Sequence, residues 1–279
     1  MRLEGARAQL GVRVACYAVL LFWLLVVLVP LYWVVLTSFK MPITVRLGPS
    51  YIPWVDFQPV LDGWRHWLVT KQADLLPPLK NSIIVALGGT TVALVIGSMA
   101  GYALSRFQYR VLGMRSEGLA LAFLAQRIVP PFILVLPFMI LFYQVGLMDT
   151  QFGLILMYAN FNLPLVVWIT RDFFAALPRE IEESAMIDGC SHLQAFLRIS
   201  VPLAIPGLVA TFAICFVFTW NEYLIALMLT FRYAQTLTIY LAGHGYGPVL
   251  TLISVAPAVL VGLACERYIT RGLLGGAIK

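Results

Sequence analysis

Six stretches of the chain, at roughly residues 14–36, 82–105, 118–143, 152–174, 203–229 and 249–268, run apolar for about twenty residues or more. At 1.5 Å of rise per residue, about twenty residues is what an α-helix needs to cross a hydrocarbon core about 30 Å thick. A soluble domain could not bury this much apolar surface: 61% of the 279 residues are hydrophobic, only 11% are charged, and the mean hydropathy is +0.89. The stretches lack the apolar–polar alternation of strands. Lipid offers the backbone no hydrogen bonds, so helices must satisfy it internally. The expected fold class is an all-α membrane protein with six transmembrane helices.

Arg2, Arg7 and Arg13 precede the first stretch, as in a signal peptide. The stretch is too long for a signal core and no small-x-small cleavage site follows, so it reads as an uncleaved anchor. Basic residues set the orientation. Arg2, Arg7, Arg13, Arg106, Arg110, Arg115, Arg171, Arg179, Arg198, Arg267, Arg271 and Lys279 fall on one side; Lys40, Arg46, Arg65, Lys71 and Lys80 in one long loop and Arg232 in another fall on the opposite side. The first set marks the cytoplasm and places both termini and the 175–202 loop there. The net charge of +6 follows from this clustering at membrane edges and does not imply nucleic acid. Cys16, Cys190, Cys215 and Cys265 form no Cys-x-x-Cys pair, and His66, His192 and His244 show no metal spacing. Trp54, Trp64 and Trp67 make the 37–80 loop amphipathic. It reads as an aromatic interface belt or as a surface that meets an external partner.

The cytoplasmic loop before the fifth stretch is rich in charge. Pro178 suits a first helical turn, and Glu180, Glu182 and Glu183 follow where the helix dipole favours acid. Gly189 stands where a left-handed cap would end the helix. Ser191 can cap a second short helix running to about Ile199, which Val201-Pro202 would close. The expected element is a helix-turn-helix along the membrane face.

The spacing Glu183-Ser184-Ala185, three residues, Gly189, nine residues, Ile199-Ser200-Val201-Pro202 resembles the loop signature of permease subunits of ATP-binding-cassette importers, Glu-Ala-Ala-x3-Gly-x9-Ile-x-Leu-Pro. Ser184 replaces the first Ala and Val201 the Leu. The likeness extends over roughly residues 30–279 and points to the carbohydrate-uptake branch. Asn81-Ser82, the run Gly101 to Phe107, the run Gly146 to Thr150, Trp220-Asn221-Glu222-Tyr223 and Thr236-Leu237 all carry it. The tail from Gly272 to Lys279 is similar to the branch's Gly-Leu-Thr-x-Gly-Ala-Val-Lys ending, with Leu274 in place of Thr.

The resemblance implies that the 178–202 loop is a coupling helix docking in a cleft of a cytoplasmic ATPase. Glu183, Ser184, Ala185, Asp188, Gly189, Ile199 and Pro202 would be the coupling residues. Glu183 would pair with a basic residue of the ATPase, and Gly275, Gly276 and Lys279 would reach the same subunit. It also implies a bacterial or archaeal inner membrane and an assembly with a second homologous permease (the sequence alone also allows a second copy), two ATPases, an extracytoplasmic solute-binding protein and surrounding lipid. ATP and Mg2+ would sit on the ATPase, with no cofactor on this chain, which lacks a phosphate loop: Gly88-Gly89-Thr90-Thr91 has no lysine and lies in a span. The implied organisation is a cytoplasmic N-terminus and first span at 1–36, an outer loop at 37–80, a five-helix core at 81–270 with the coupling loop at 176–202, and a cytoplasmic tail at 271–279. In maltose-type relatives the loop equivalent to 231–248 probes the binding protein; here it is short and glycine-rich.

Charged residues inside spans are functional candidates by default. Arg127 in the third stretch and Glu222 in the fifth qualify, at depths that differ by roughly 10–15 Å counted at 1.5 Å per residue. Backbone carbonyls freed by Pro130 and Pro131 could serve Arg127, and Asn221 or a facing subunit could serve Glu222. With Gln126, Tyr158, Asn160, Trp220 and Asn221 they supply the amides and flat faces that a sugar pathway needs. Of Asn160 and Asn162, two apart on a helix, only one can face a pathway. Pro130, Pro131, Pro137, Pro164, Pro206 and Pro257 are expected to kink their spans. Two other functions fit six spans less well. An ion-coupled secondary transporter would carry more spans or an inverted repeat, and an intramembrane protease would rest on Ser98 and His244 without the required motif context.

Overall fold

The computed structural model describes residues 2–277 apart from 47, 112, 245 and 246, with the backbone alone for residues 2–10, 42, 46, 111 and 269–277. In chain order its helices are α1 (Arg2–Thr37), α2 (Gln72–Arg106), α3 (Ser116–Ala125), α4 (Pro131–Gln144), α5 (Gln151–Ala175), α6 (Arg179–Ile187), α7 (His192–Ala195), α8 (Val201–Trp220), α9 (Leu224–Leu229), α10 (Leu237–His244) and α11 (Pro248–Ala277); two short helical turns, Pro42–Arg46 and Asp62–Arg65, lie between α1 and α2. Among the described residues, five helices are long and apolar enough to cross a membrane, or six when the bent pair α3 and α4 counts as one span. The chain forms two compact units, residues 1–73 with 245–253 and residues 74–244 with 254–279.

In the first unit, the chain leaving α1 folds around one buried lysine. Lys40 Nζ donates to the Ser50 carbonyl at 2.6 Å and lies 4.4 Å from the Trp33 ring and 4.9 Å from that of Phe57. Burial lowers its pKa, and the Asp56 carboxylate pulls it back up in part. Cation–π contact is what makes a buried ammonium tolerable here.

The second unit is organised by close approach of α2 to α5. Gly89, Ala93, Gly97 and Gly101 recur every four residues on one face of α2, and all four are buried. A Cβ on Gly97 would come within 2.6 Å of Val166, and one on Gly89 within 2.9 Å of Tyr158. Small residues at this spacing let helix backbones approach in lipid, where hydrophobic driving force between helices is missing. Thr170 Oγ1 crosses the seam to the Gly97 carbonyl at 3.4 Å. Gly207 does the same for α8, where a Cβ would collide with the Phe173 ring.

The expected proline bend is found in the third span, and the fifth span and the 231–248 segment depart from the sequence reading. The third span is not one helix: it turns by 87° between the 3-10 turn Gln126–Ile128 and α4. Pro130 and Pro131 force it, since a residue before proline avoids the helical region; Val129 and Pro130 are extended, with ψ of 125° and 132°. Pro137, Pro164, Pro206 and Pro257 lie inside continuous helices. The fifth span breaks after Trp220 and resumes as α9. Finally, the 231–248 segment holds a helix, α10.

Candidate functional site

The polar loop folds as a helix pair. Pro178 holds the position just ahead of α6, and Asp188 ends it. Gly189 then takes φ +91°, with its N–H on the Met186 carbonyl (3.1 Å) and the Cys190 N–H on the Ala185 carbonyl (3.0 Å). This is the paired-bond cap that a left-handed residue makes at a helix end. Ser191 begins α7 with a reciprocal capping box: the Gln194 N–H reaches Ser191 Oγ and the Ser191 N–H reaches Gln194 Oε1. Val201-Pro202 does not close this second helix. One helical path runs from His192 to Trp220, and a π-turn at Phe196–Ser200 shifts the register just ahead of Pro202, which has no N–H to donate.

Glu183, Ser184, Asp188 and Gly189 are exposed on this pair; Ala185 and Ile199 are half-buried, and Pro202 is exposed in the first turn of α8. Apolar side chains are displayed beside them: Ile187 is 88% exposed and Leu193 is 56% exposed. Lys279 lies outside the described residues, and Gly275 and Gly276 lie where the backbone alone is described.

Glu182, read in the sequence as one of three dipole-favoured acids, is instead buried. Its carboxylate accepts from Arg106 Nη2 (2.7 Å) and Nε (3.0 Å), Ser200 Oγ (2.7 Å) and Tyr102 Oη (2.9 Å). Burial alone would raise its pKa; the bonds from Arg106, Ser200 and Tyr102 outweigh that and hold it below the ordinary carboxylate value. The Tyr102, Phe174 and Phe196 rings pack on one another beside it, with centroids 4.8–5.8 Å apart. The sequence signal was available only as the pair Arg106 and Glu182, 76 residues apart.

The break in the third span opens a cavity of ≈ 200 Å³ lined by Gln126, Arg127, Tyr158, Asn162, Phe218 and Glu222, among others. Of the sequence candidates, Gln126, Arg127, Tyr158 and Glu222 come together. Asn160, Trp220 and Asn221 do not line it: Trp220 Nε1 donates to the Ser254 carbonyl at 2.8 Å, and Asn221 Nδ2 to the Val217 carbonyl at 2.8 Å. Asn162 takes the place expected of Asn160 and donates to Thr219 Oγ1 at 2.7 Å. Glu222 finds its partners in its own chain, the Ile225 and Ala226 N–H groups (2.9 and 3.2 Å) and Tyr158 Oη (3.1 Å). It caps α9 across the break, and Asn221 is not among these partners. Arg127 lays its guanidinium over the Phe218 ring at 4.7 Å.

In the same unit, Asp149, at φ +55°, gathers backbone N–H groups from Phe231, Arg232, Tyr233 and Ala234 at 2.9–3.2 Å. Burial would raise its pKa; these amides lower it instead. Asn81 Nδ2 holds the same turn through the Tyr233 and Gln235 carbonyls, each at 2.9 Å.

A bundle of apolar helices with a bent span, a polar cavity at the bend and a capped, charged helix pair is compatible with a membrane transport subunit. The family model described as binding-protein-dependent transport system inner membrane component matches residues 93–273, and the chain belongs to that family. It is 33% identical to the trehalose transport system permease protein SugB of Mycobacterium tuberculosis, over 97% of this chain and all of that one. It is 29% identical to the inner membrane ABC transporter permease protein YcjP of Escherichia coli, over 96% of each chain. With the trehalose/maltose transport system permease protein MalG of Thermococcus litoralis it shares 30% identity, over 91% of this chain and 92% of the other. Its fold matches a chain of a bacterial ABC transporter involved in import of the acidic polysaccharide alginate, with TM-score 0.72, 23% identity, and coverage of 91% of this chain and 95% of that one. The chain is a multi-pass inner-membrane permease subunit of an ABC importer that works with ATPase and binding-protein partners, and it is not itself an enzyme.

Proposed function

We propose that this chain forms half of the membrane pathway for a sugar, polyol or glycoside, and that the 178–202 helix pair is where the ATPase engages it. The observation that carries the reading is the preformed, capped pair displaying Glu183, Asp188, Ile187 and Leu193 to solvent. Ile187 and Leu193 stand with Glu183 and Asp188 on this capped scaffold, the mix of apolar and charged groups that a protein contact uses. Glu183, Ser184, Ala185, Asp188, Gly189, Ile199 and Pro202 are its coupling residues, and Gly275, Gly276 and Lys279 a second contact with the ATPase. The loop and both termini face the cytoplasm. ATP and Mg2+ are held by that partner. The carbohydrate class is supported by relatives named for trehalose and trehalose/maltose transport. Gln126, Arg127, Tyr158, Asn162 and Glu222 are the polar lining on this chain's side of the path. A homologous permease or a second copy completes it, with two ATPases and a solute-binding protein.

Affinity purification of the chain from native membranes in mild detergent, with mass spectrometry of the eluate, tests this. Recovery of an ATPase with wild type, and its loss with Glu183→Lys or Gly189→Val at unchanged membrane level, is the expected outcome. Recovery of the chain alone under conditions that preserve known complexes ends the reading.

A further inference from the structure

We propose that Glu182 is a positioning residue of transport: its buried carboxylate fixes the loop helix α6 to the ends of two spans, so that displacement of the loop moves those spans with it. The proposal rests on the coupling reading of the 178–202 loop and adds how the loop is joined to the membrane domain.

The four donors on Glu182 come from three residues in two separate parts of the chain. Tyr102 and Arg106 sit one turn apart at the end of α2, and Ser200 closes the π-turn that leads into α8. Arg106 Nη2 also reaches the Leu177 carbonyl at 3.3 Å, and Arg179 Nη2 donates to the Ser105 carbonyl at 3.1 Å, so the start of α6 is also held to the end of α2 just ahead of Glu182. The neighbouring acids of α6, Glu180 and Glu183, are exposed and remain free for a partner. Stability is a weak reason to retain such a site, because desolvation offsets much of the attraction in a buried ion pair. What the pair supplies is direction. A hydrophobic contact lets helices slide, whereas a carboxylate with four donors has one arrangement that satisfies it. Moving α6 away from α2 or from the π-turn would strip a buried charge of its partners. The Tyr102, Phe174 and Phe196 rings pack on one another beside the site, and a cavity of ≈ 100 Å³ lined in part by Arg106, Glu182 and Glu183 borders it.

The test uses the assembled transporter purified with its ATPase, with the four native cysteines replaced by serine. Spin labels at Ile181→Cys on α6 and Gln108→Cys beyond α2 report the distance between the two, without nucleotide and after trapping with Mg-ATP and vanadate. With Glu182 intact, the distribution is narrow and the same in both states. With Glu182→Gln, trapping shifts it by on the order of 2 Å, the scale of helix shifts in such transitions. Ser200→Ala, which keeps the ion pair, gives a smaller state-dependent shift and serves if Glu182→Gln does not assemble. A distribution that stays narrow in both states in the variants, or broadens equally in both states as a merely stabilising residue would produce, overturns the proposal. Retention of the ATPase by Glu183→Lys would instead overturn the coupling reading, a result that the label distances do not depend on.

Discussion

Asp149 occupies a left-handed backbone position, where acidic and amide residues are the usual non-glycine occupants, and spends its carboxylate on four successive amides of the 231–234 turn. Asp149→Ala would leave those N–H groups without their acceptor, at about 1–3 kcal/mol for each that water does not reach. The expected result is faster tryptic cleavage after Arg232 and a lower melting temperature; unchanged cleavage would show that the turn holds itself. Asp149 and Glu182 also set an acid limit. Both carboxylates have folded values below the ordinary one, so their contribution is complete above the unfolded range, roughly pH 4, and is lost as pH falls through the lowered folded values. Melting temperature in detergent should therefore be flat near neutrality and drop on acidification below that range. In Glu182→Gln the drop should be smaller, because one of the two depressed groups is gone.

Elements in this chain are shaped by where backbone donors go missing. Pro130 and Pro131 turn the third span through 87°, and the cavity lies at that turn. Replacing both with alanine restores the donors and lets the helix run on. A cysteine at Gln126 in a chain free of other cysteines should then react more slowly with a water-soluble thiol reagent, whereas equal rates would place the cause of the bend in the surrounding packing. The α2–α5 seam has the opposite dependence, on absent side chains. Gly97→Leu drives atoms into Val166, and overpacking of this kind costs about 1–3 kcal/mol. A melting temperature unchanged from wild type would mean that the helices separate without loss.

At the scale of the whole molecule, burial is uneven. Half of the apolar window of α5 is buried within the chain, against 6% for α1 and 11% for α11. Surfaces of that kind are covered by lipid or by another subunit. Co-expression with a homologous permease should raise the melting temperature of the purified chain, as any partner that binds only the folded form must. No change on co-expression would assign both faces to lipid.

Local chemistry was legible from the residues alone. Pro178, Gly189 and Ser191 each act within a few positions of themselves, so the helix pair of the polar loop and its caps could be read before any fold was known, and twenty-residue apolar runs fixed a helical membrane protein because lipid permits little else. The Glu183-Ser184-Ala185-x3-Gly189-x9-Ile199 spacing of the loop likewise carried the family. Tertiary structure alone decided what joins distant segments. It chose Asn162 over Asn160 for the cavity, and it turned Trp220 towards Ser254. Glu222 was assigned to the amides of α9, and Glu182 to Arg106 across 76 residues. Such pairings depend on which helix faces meet. A one-residue change of facing turns a helix by about 100° and sends the same side chain elsewhere.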